Sequence, residues 1–300
     1  LCSRFDEAVK NHIGKNLPIN FSPITFSSWM GGDRDGNPYV TSKTTKEVIL
    51  LSRWEAASLY EKEFTKLIEN LSLHECSKKI KKIVGITREP YRVYLRPIRN
   101  KLKETQKEIE QCLKENRKPK RSLLVRSINE ILEPLMDVYN SLCFIKCEII
   151  ANGIVLDLIR RAYTFGLNLA KLDIRQESAR HSKLINSVCK KLGMHGYEKL
   201  SEEEKILFLT KEFKSKRPLI PQNITLDRDD KETWSTFKML SESSRECFGA
   251  YVISMASNVS DILAVLLLQK EAGIKNYLRI VPLFETLFDL ENSHIVMENL

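Results

Sequence analysis

Ala250-Tyr-Val-Ile-Ser-Met255 and Leu278-Arg-Ile-Val-Pro-Leu283 flank the stretch Ser257-Asn-Val-Ser-Asp261 and the apolar run Ile262-Leu-Ala-Val-Leu-Leu-Leu268. The two outer runs are short, rich in β-branched and aromatic residues, and bounded by turn formers or a change of pattern, as strands are. Between them, Ser257 or Asn258 can cap a helix, Asp261 falls in its first turn, and Gly273 follows its end. Strand, helix and strand in so short a stretch make a βαβ unit, which implies parallel pairing and a right-handed crossover.

Two further runs read as strands, Pro23-Ile-Thr-Phe-Ser-Ser28 and Leu167-Asn-Leu-Ala-Lys-Leu-Asp-Ile174. The sequence between them is helical in pattern. Thr44 to Lys82 carries apolar residues at helical spacing (Val48, Leu51, Ala56, Leu59, Phe64, Leu67, Ile68, Leu71), enough for one or two helices. After an interruption from Pro90 to Pro97, helices are expected over 98–114, about 123–150 and 153–164. The fold class expected is therefore α-rich α/β, with several parallel strands in a mostly helical chain.

Polar residues cluster where the strand runs end. Trp29-Met-Gly-Gly-Asp-Arg-Asp-Gly-Asn-Pro38 follows the first, Arg175-Gln-Glu-Ser178 the second, Ser254-Met-Ala-Ser257 the third and Phe284-Glu-Thr286 the fourth. A β/α barrel builds its active site at this end of its strands, where the βα loops converge. Four strands do not close an eight-stranded barrel, and the chain opens without Met, so the expectation is one continuous internal piece of a larger barrel enzyme. Within it, residues 1–40 hold the first strand and the Gly-rich loop, 41–165 a helical insertion, and 166–300 the barrel strands and helices.

Composition narrows the classes. With 11 Gly and 10 Pro in 300 residues, collagen-like and Pro/Gly-rich disordered chains are excluded. The longest uninterrupted apolar run, Ile262 to Leu268, is too short for a membrane helix, so no membrane partner is expected. The seven Cys form no CxxC pair and suit a reducing cytoplasm. Cys143 and Cys147, four apart on one face of an expected helix, read as small core side chains ahead of a zinc pair. The net charge of +9 is concentrated in residues 78–126. That window reads first as a solvated helical face with a basic loop; the alternative is an RNA-binding or scaffold module.

Some side chains stand out chemically. Arg175 offers a planar fork of donors suited to phosphate or carboxylate, or else a salt bridge to Asp173 or Glu177. Glu285 closes an apolar strand, where a carboxylate needs a metal or an Arg beside it. Asp33-Arg34-Asp35 reads equally as an internal ion-pair knot or as ligand contacts, and the loop lacks the Asx spacing and distal Glu of a calcium site. His181 and His294 read as packing or surface residues in preference to acid–base groups.

Taken in order, these segments resemble the phosphoenolpyruvate carboxylase family, in its bacterial form. The resemblance rests on Trp29-Met-Gly-Gly-Asp-Arg-Asp-Gly-Asn-Pro38, Leu172-Asp-Ile-Arg-Gln-Glu-Ser178 with Arg180-His181, Tyr251-Val-Ile-Ser-Met-Ala256, and Val281-Pro-Leu-Phe-Glu-Thr-Leu287 with Asp289-Leu290. Ser215-Lys-Arg-Pro-Leu219, Leu263-Ala-Val265 and Glu271-Ala-Gly273 extend it across nearly the whole chain. It implies part of a helix-elaborated, TIM-like barrel and a lyase that joins phosphoenolpyruvate and bicarbonate into oxaloacetate and phosphate, feeding the tricarboxylic acid cycle. Mg²⁺ or Mn²⁺ is the implied cofactor. Arg175 is implied at the substrate phosphate, Glu285 as a metal ligand, and Trp29 and Leu283 as apolar walls of the pocket that holds CO₂. An allosteric cytoplasmic homo-oligomer, a tetramer, is implied for the full-length protein, with no nucleic acid as partner. The family's Thr-Ala-His-Pro-Thr-Glu segment belongs upstream, and its Asp-Ser-Ala-Lys-Asp segment and Gly/Arg-rich loop belong downstream. This chain alone is therefore expected to be inactive.

Overall fold

The computed structural model describes residues 2–300; the side chains of Cys2, Ser3 and Arg121, and with them one expected free thiol and one cation of the basic loop, lie outside the description. The chain divides into two compact units, residues 2–26 with 49–170, and residues 27–48 with 171–300. The second of the three boundaries, between Val48 and Ile49, falls inside one long helix.

The first unit is helical: α1 (Cys2–Ile13), most of α2 (Ser42–Asn70), α3 (Lys78–Val84), α4 (Pro90–Glu115), α5 (Asn129–Phe144), the single turn α6 (Glu148–Ile150), a π-helical turn at 151–155, and α7 (Leu156–Phe165). Its core joins Phe64 and Leu67 of α2, and Leu71 just after it, with Tyr91, Leu95 and Leu102 of α4, Leu135, Val138 and Leu142 of α5, and Leu158 and Ile159 of α7. Hydroxyls inside this core are paired. Tyr60 donates to the Gly166 carbonyl at 2.8 Å, and the Tyr91 and Ser141 hydroxyls meet at 2.8 Å.

Two helix boundaries depart from those expected. α4 starts at Pro90, where a missing N–H costs nothing, and runs straight through Pro97 to Glu115. Pro97 removes one intrahelical hydrogen bond, but the buried face on either side (Tyr91 and Leu95 before it, Leu102, Ile109 and Cys112 after it) holds the helix together by packing. In the other case, α5 stops at Phe144 and Lys146 takes a left-handed φ of 60°. Cys143 and Cys147 therefore do not share a helix face; both are free thiols packed against the core.

Much of the basic window is spent inside this unit. Lys79 pairs with Asp137, Arg92 with Glu89, Lys101 with Glu130, Lys103 with Glu61, and Arg117 with Glu108 and Glu115. The Arg117 guanidinium holds the Glu108 carboxyl down to about 2. The lysine pairs tie neighbouring helices, the arginine pairs close the two ends of α4, and all of them lower the field that a polyanion would meet.

The second unit is a parallel sheet in the order β1 (Ser27–Ser28), β2 (Lys171–Glu177), β3 (Phe248–Ser254), β4 (Arg279–Pro282). The chain crosses from β2 to β3 through α8 (Ser178–Lys191), α9 (Glu202–Lys214) and α10 (Arg228–Glu242), and from β3 to β4 through α11 (Val259–Glu271). α12 (Leu287–Glu298) follows β4. β3 is interior to the sheet and nearly all buried, which explains why Phe248-Gly-Ala-Tyr-Val-Ile253 carries no charged or polar side chain but the tyrosine hydroxyl. α11 is capped as its sequence predicts, with the Asp261 carboxylate accepting from the Ser257 and Asn258 amides at 3.0 Å each. Among the described residues, no helix is long and apolar enough to cross a membrane.

The first two strands differ from expectation. Of Pro23–Ser28, only Ser27 and Ser28 enter the sheet; Phe26 stacks on Phe165 at 5.2 Å in the helical unit. β2 begins at Lys171 and runs on to Glu177, because Leu167–Ala170 is taken up in the turn out of α7. Arg175 consequently lies within a strand and not beyond its end.

Candidate functional site

The Gly-rich loop after β1 is laid against the end of β2 by backbone alone. The Arg34 amide donates to the Arg175 carbonyl, and the Arg175 amide donates to the Gly32 carbonyl, both at 2.9 Å. Asp33 thus forms a parallel bridge with Arg175 itself. Gly32 is required by this approach: a Cβ there would sit 2.0 Å from the Asp173 carbonyl oxygen. Gly31, at φ +76°, packs so closely on Val48 that a Cβ would fall 2.4 Å from its methyl.

The chain leaves the Arg175 bridge at Asp33 and is already in a turn at Asp35, and the arginine and the two carboxylates of the triplet find separate partners. Arg34 turns inward and is buried; its Nη1 donates to the Gly32 carbonyl at 2.9 Å and its Nη2 to the Thr45 hydroxyl at 2.6 Å. Thr45 in turn donates to the Gly31 carbonyl at 2.7 Å. Burial lowers the Arg34 pKa, against the opposing pull of Tyr251, Glu232 and Asp33. The triplet is therefore no internal ion-pair knot. Arg34 bonds to the loop backbone and a threonine, and the two Asp carboxylates face another cation.

That cation is Arg175. Its Nη2 lies 2.8 Å from Asp35 Oδ2 and 3.1 Å from Glu285 Oε1, and its Nη1 lies 3.8 Å from Asp33 Oδ2. The Asp35 amide donates to Asp33 Oδ1 at 3.0 Å, which fixes the two carboxylates relative to each other. The Trp29 ring stands 5.8 Å from the guanidinium carbon, a cation–π distance. Neither Asp173 nor Glu177 pairs with Arg175. The Asp173 carboxylate instead accepts from the Ala250 amide at 2.8 Å and stitches β2 to β3.

The fork is only partly used. Arg175 Nε is buried without a hydrogen-bond partner among the described residues, and Nη1 has its nearest carboxylate beyond hydrogen-bonding distance. Donors left over on a guanidinium at the C-terminal end of parallel strands can bind an anion such as a phosphate or carboxylate.

Glu285 follows β4, and its side chain is 32% exposed. Among the described residues, no group of three or more His, Cys, Asp or Glu is arranged to hold a metal ion. Mg²⁺ in phosphate chemistry takes one or two protein carboxylates and fills the rest of its shell with water and substrate. Glu285 fits one such position.

Leu283 is fixed to the end of β3 by two hydrogen bonds, its amide donating to the Ile253 carbonyl at 2.8 Å and its carbonyl accepting from the Ala256 amide at 3.2 Å. Trp29 is 55% exposed and its carbonyl accepts from the Gly32 and Asp33 amides. The two expected histidines stay outside this group. His181 is fully buried behind the sheet, 2.8 Å from the Tyr251 hydroxyl, and burial pushes its pKa down to about 3. His294 is exposed on α12.

Over residues 1–300 the sequence matches the family model for phosphoenolpyruvate carboxylase. The chain belongs to the phosphoenolpyruvate carboxylase family. It is 45% identical over 299 residues to the phosphoenolpyruvate carboxylase of Aliivibrio salmonicida, across 99% of this chain and 34% of that one. It is 44% identical over 290 residues to that of Hahella chejuensis, across 97% and 33%, and 44% identical over 297 residues to that of Klebsiella pneumoniae, across 98% and 34%. The chain thus spans about a third of the length of these curated relatives.

Asp33 and Asp35, as partners of Arg175, are the site residues that the sequence reading left unassigned. The sequence offered two carboxylates two residues apart in a glycine-flanked loop, and nothing local to them points to a partner arginine 140 positions on.

Proposed function

We propose that the full-length protein to which this sequence belongs carboxylates phosphoenolpyruvate with bicarbonate, giving oxaloacetate and phosphate. The observation that carries the reading is the half-used Arg175 fork, set beside Glu285 at the ends of parallel strands, in a chain of this family. The sheet belongs to a β/α barrel completed by sequence outside this chain. The full-length protein is a cytoplasmic, allosteric homo-oligomer, by family resemblance a tetramer.

In this scheme the phosphoryl group passes from phosphoenolpyruvate to bicarbonate, leaving an enolate and carboxyphosphate. Loss of phosphate from carboxyphosphate releases CO₂, and the enolate carbon attacks it to form oxaloacetate. Arg175 donates to the phosphoryl oxygens, whose charge shifts during transfer. Glu285 supplies one carboxylate to Mg²⁺ or Mn²⁺; the ion, when bound, neutralises charge on the phosphoryl and enolate oxygens. Trp29 and Leu283 form an apolar wall that keeps water away and CO₂ close.

The test is oxaloacetate formation by the full-length protein from phosphoenolpyruvate, bicarbonate and Mg²⁺, read by NADH-dependent reduction to malate, with this 300-residue chain in parallel. Turnover by the full-length protein and none by the chain is expected. No oxaloacetate from the full-length protein would sink the reading; turnover by the chain within tenfold would refute the assignment of further catalytic groups to sequence outside it.

A further inference from the structure

We propose that Asp35 is a positioning residue: it aims the Arg175 guanidinium so that its free donors meet an anionic ligand. The inference rests on the reading of Arg175 as the phosphate-binding group.

An arginine side chain carries about 2 kcal/mol of rotamer entropy, so a fork that must meet a phosphate benefits from being held in advance. Asp35 holds it by one nitrogen, Nη2, at 2.8 Å, and leaves Nε and Nη1 without hydrogen-bonded partners. The holder is itself anchored. Its amide donates to Asp33 Oδ1, and Gly32 and Arg34, on either side of Asp33, are hydrogen-bonded to the main chain of Arg175. Arg34 and Thr45 fix the same segment from beneath, and Gly32 lets it lie against Asp173. Carboxylate and guanidinium are thus referred to one rigid piece of backbone.

Glu285 shares Nη2 but differs in kind. It comes from the loop after β4 and is the carboxylate suited to a divalent cation. When Glu285 turns to such a cation, one Nη2 hydrogen is released, and Asp35 alone keeps the fork in place. Asp35 is the fixed tether and Glu285 the exchangeable one.

The experiment is a double-mutant cycle in the full-length protein, with Asp35→Ala, Asp35→Asn, Arg175→Ala and Arg175→Ala combined with Asp35→Ala. Each variant is read as kcat and KM for phosphoenolpyruvate and as affinity for inorganic phosphate by calorimetry. Asp35→Ala should lower kcat/KM on the order of 10- to 100-fold, the scale of a catalytic group misplaced by about 1 Å. Asp35→Asn keeps an acceptor oxygen in place and should recover most of that loss, with a melting temperature close to wild type. In the Arg175→Ala background, Asp35→Ala should cost nothing further in turnover or phosphate affinity, because Asp35 acts only through Arg175.

Multiplying losses in the double variant would overturn the proposal, as would wild-type kinetics for Asp35→Ala beside a crippled Arg175→Ala. If Arg175→Ala turns over normally, the functional reading of Arg175 fails instead. The phosphate cycle then decides: coupling of more than about threefold between the two residues upholds Asp35 as a positioning group, and no coupling or no wild-type phosphate binding overturns it. Should Asp35→Ala fail to fold, the same cycle is run with Asp35→Ser, whose hydroxyl keeps the loop polar but is too short to reach Arg175 Nη2.

Discussion

Asp35 and Glu285 meet on one atom: Arg175 Nη2 lies 2.8 Å from the first carboxylate and 3.1 Å from the second, although they come from loops at opposite ends of the sheet order. The shared nitrogen makes the occupancy of Glu285 a variable in the geometry of Arg175. Four experiments follow from this arrangement and from what surrounds it.

Glu285→Gln in the full-length protein removes one charged oxygen ligand and weakens the pair with Arg175. The Mg²⁺ or Mn²⁺ concentration for half-maximal activity should rise at least about tenfold, the lower end of the cost of losing even an outer-sphere partner. An unmoved metal titration curve would make Glu285 a structural partner of Arg175 only.

Arg175→Lys keeps the charge and loses the planar fork. Turnover should fall by about two to three decades, as for loss of one preorganised donor to a developing anion. Stability should change by no more than about 1 kcal/mol, because the ion pairs lie at a solvent-accessible edge. Kinetics indistinguishable from wild type would take Arg175 out of the site.

Gly32→Ala places a methyl 2.0 Å from the Asp173 carbonyl oxygen, a backbone atom that cannot swing aside. The loop must lift from β2, at about 1–3 kcal/mol for an overpacked contact. Denaturant unfolding should show that loss, and the Asp33–Arg175 bridge should open in a crystal structure of the variant. Gly36→Ala, with φ +64° but no atom within 4 Å of the added methyl, separates backbone strain from the clash.

His181 makes stability depend on pH with a definite sign. Its folded pKa of about 3 lies below the ordinary value near 6.5, so between the two the unfolded chain binds the proton that the folded chain refuses. The contribution is complete above about pH 6.5 and is lost as pH falls toward the folded value, with a slope of up to about 1.4 kcal/mol per pH unit. The groups around the ring are the Tyr251 hydroxyl and the Tyr251 and Phe237 rings, and among the described residues no carboxylate hydrogen-bonds to it, Nδ1 being without a partner. His181→Gln, which cannot titrate, should be less stable than wild type at pH 7 and show a shallower fall in melting temperature between about pH 6.5 and 5. Parallel curves would place the proton uptake elsewhere.

The parts legible in sequence are those that short-range physics decides. β3, α11 and β4 announced themselves because β-branched runs, a capping Asn258–Asp261 pair and a terminal Gly273 all act within a few residues. Arg175 and Glu285 stood out as charges set into apolar strand ends, and the structure brings them within 3.1 Å. What did not show locally was set by partners distant in the chain. Pro97 looks like a break until the buried neighbours Leu95 and Leu102 are counted, and Phe26 looks like strand until Phe165 stacks on it. Arg34 and the Asp carboxylates on either side looked like natural partners; in the structure Nη1 and Nη2 of Arg34 donate to the Gly32 carbonyl and the Thr45 hydroxyl, and the carboxylates meet Arg175.

The insertion of a helical unit between β1 and β2 also bears on the order of folding. The paired residues Ser27 and Lys171 stand 171 − 27 = 144 positions apart, yet β1 contributes only two residues to the ladder. So short a strand cannot offset the entropy of closing so long a disordered loop, which grows as the logarithm of its length. Once the helices between them have folded, most of that chain no longer contributes to the loop, and the closure is correspondingly cheaper. The loop that aims Arg175 is therefore expected to dock last, after the helical unit and the β2–β3–β4 core, and to be the first part of the sheet to open.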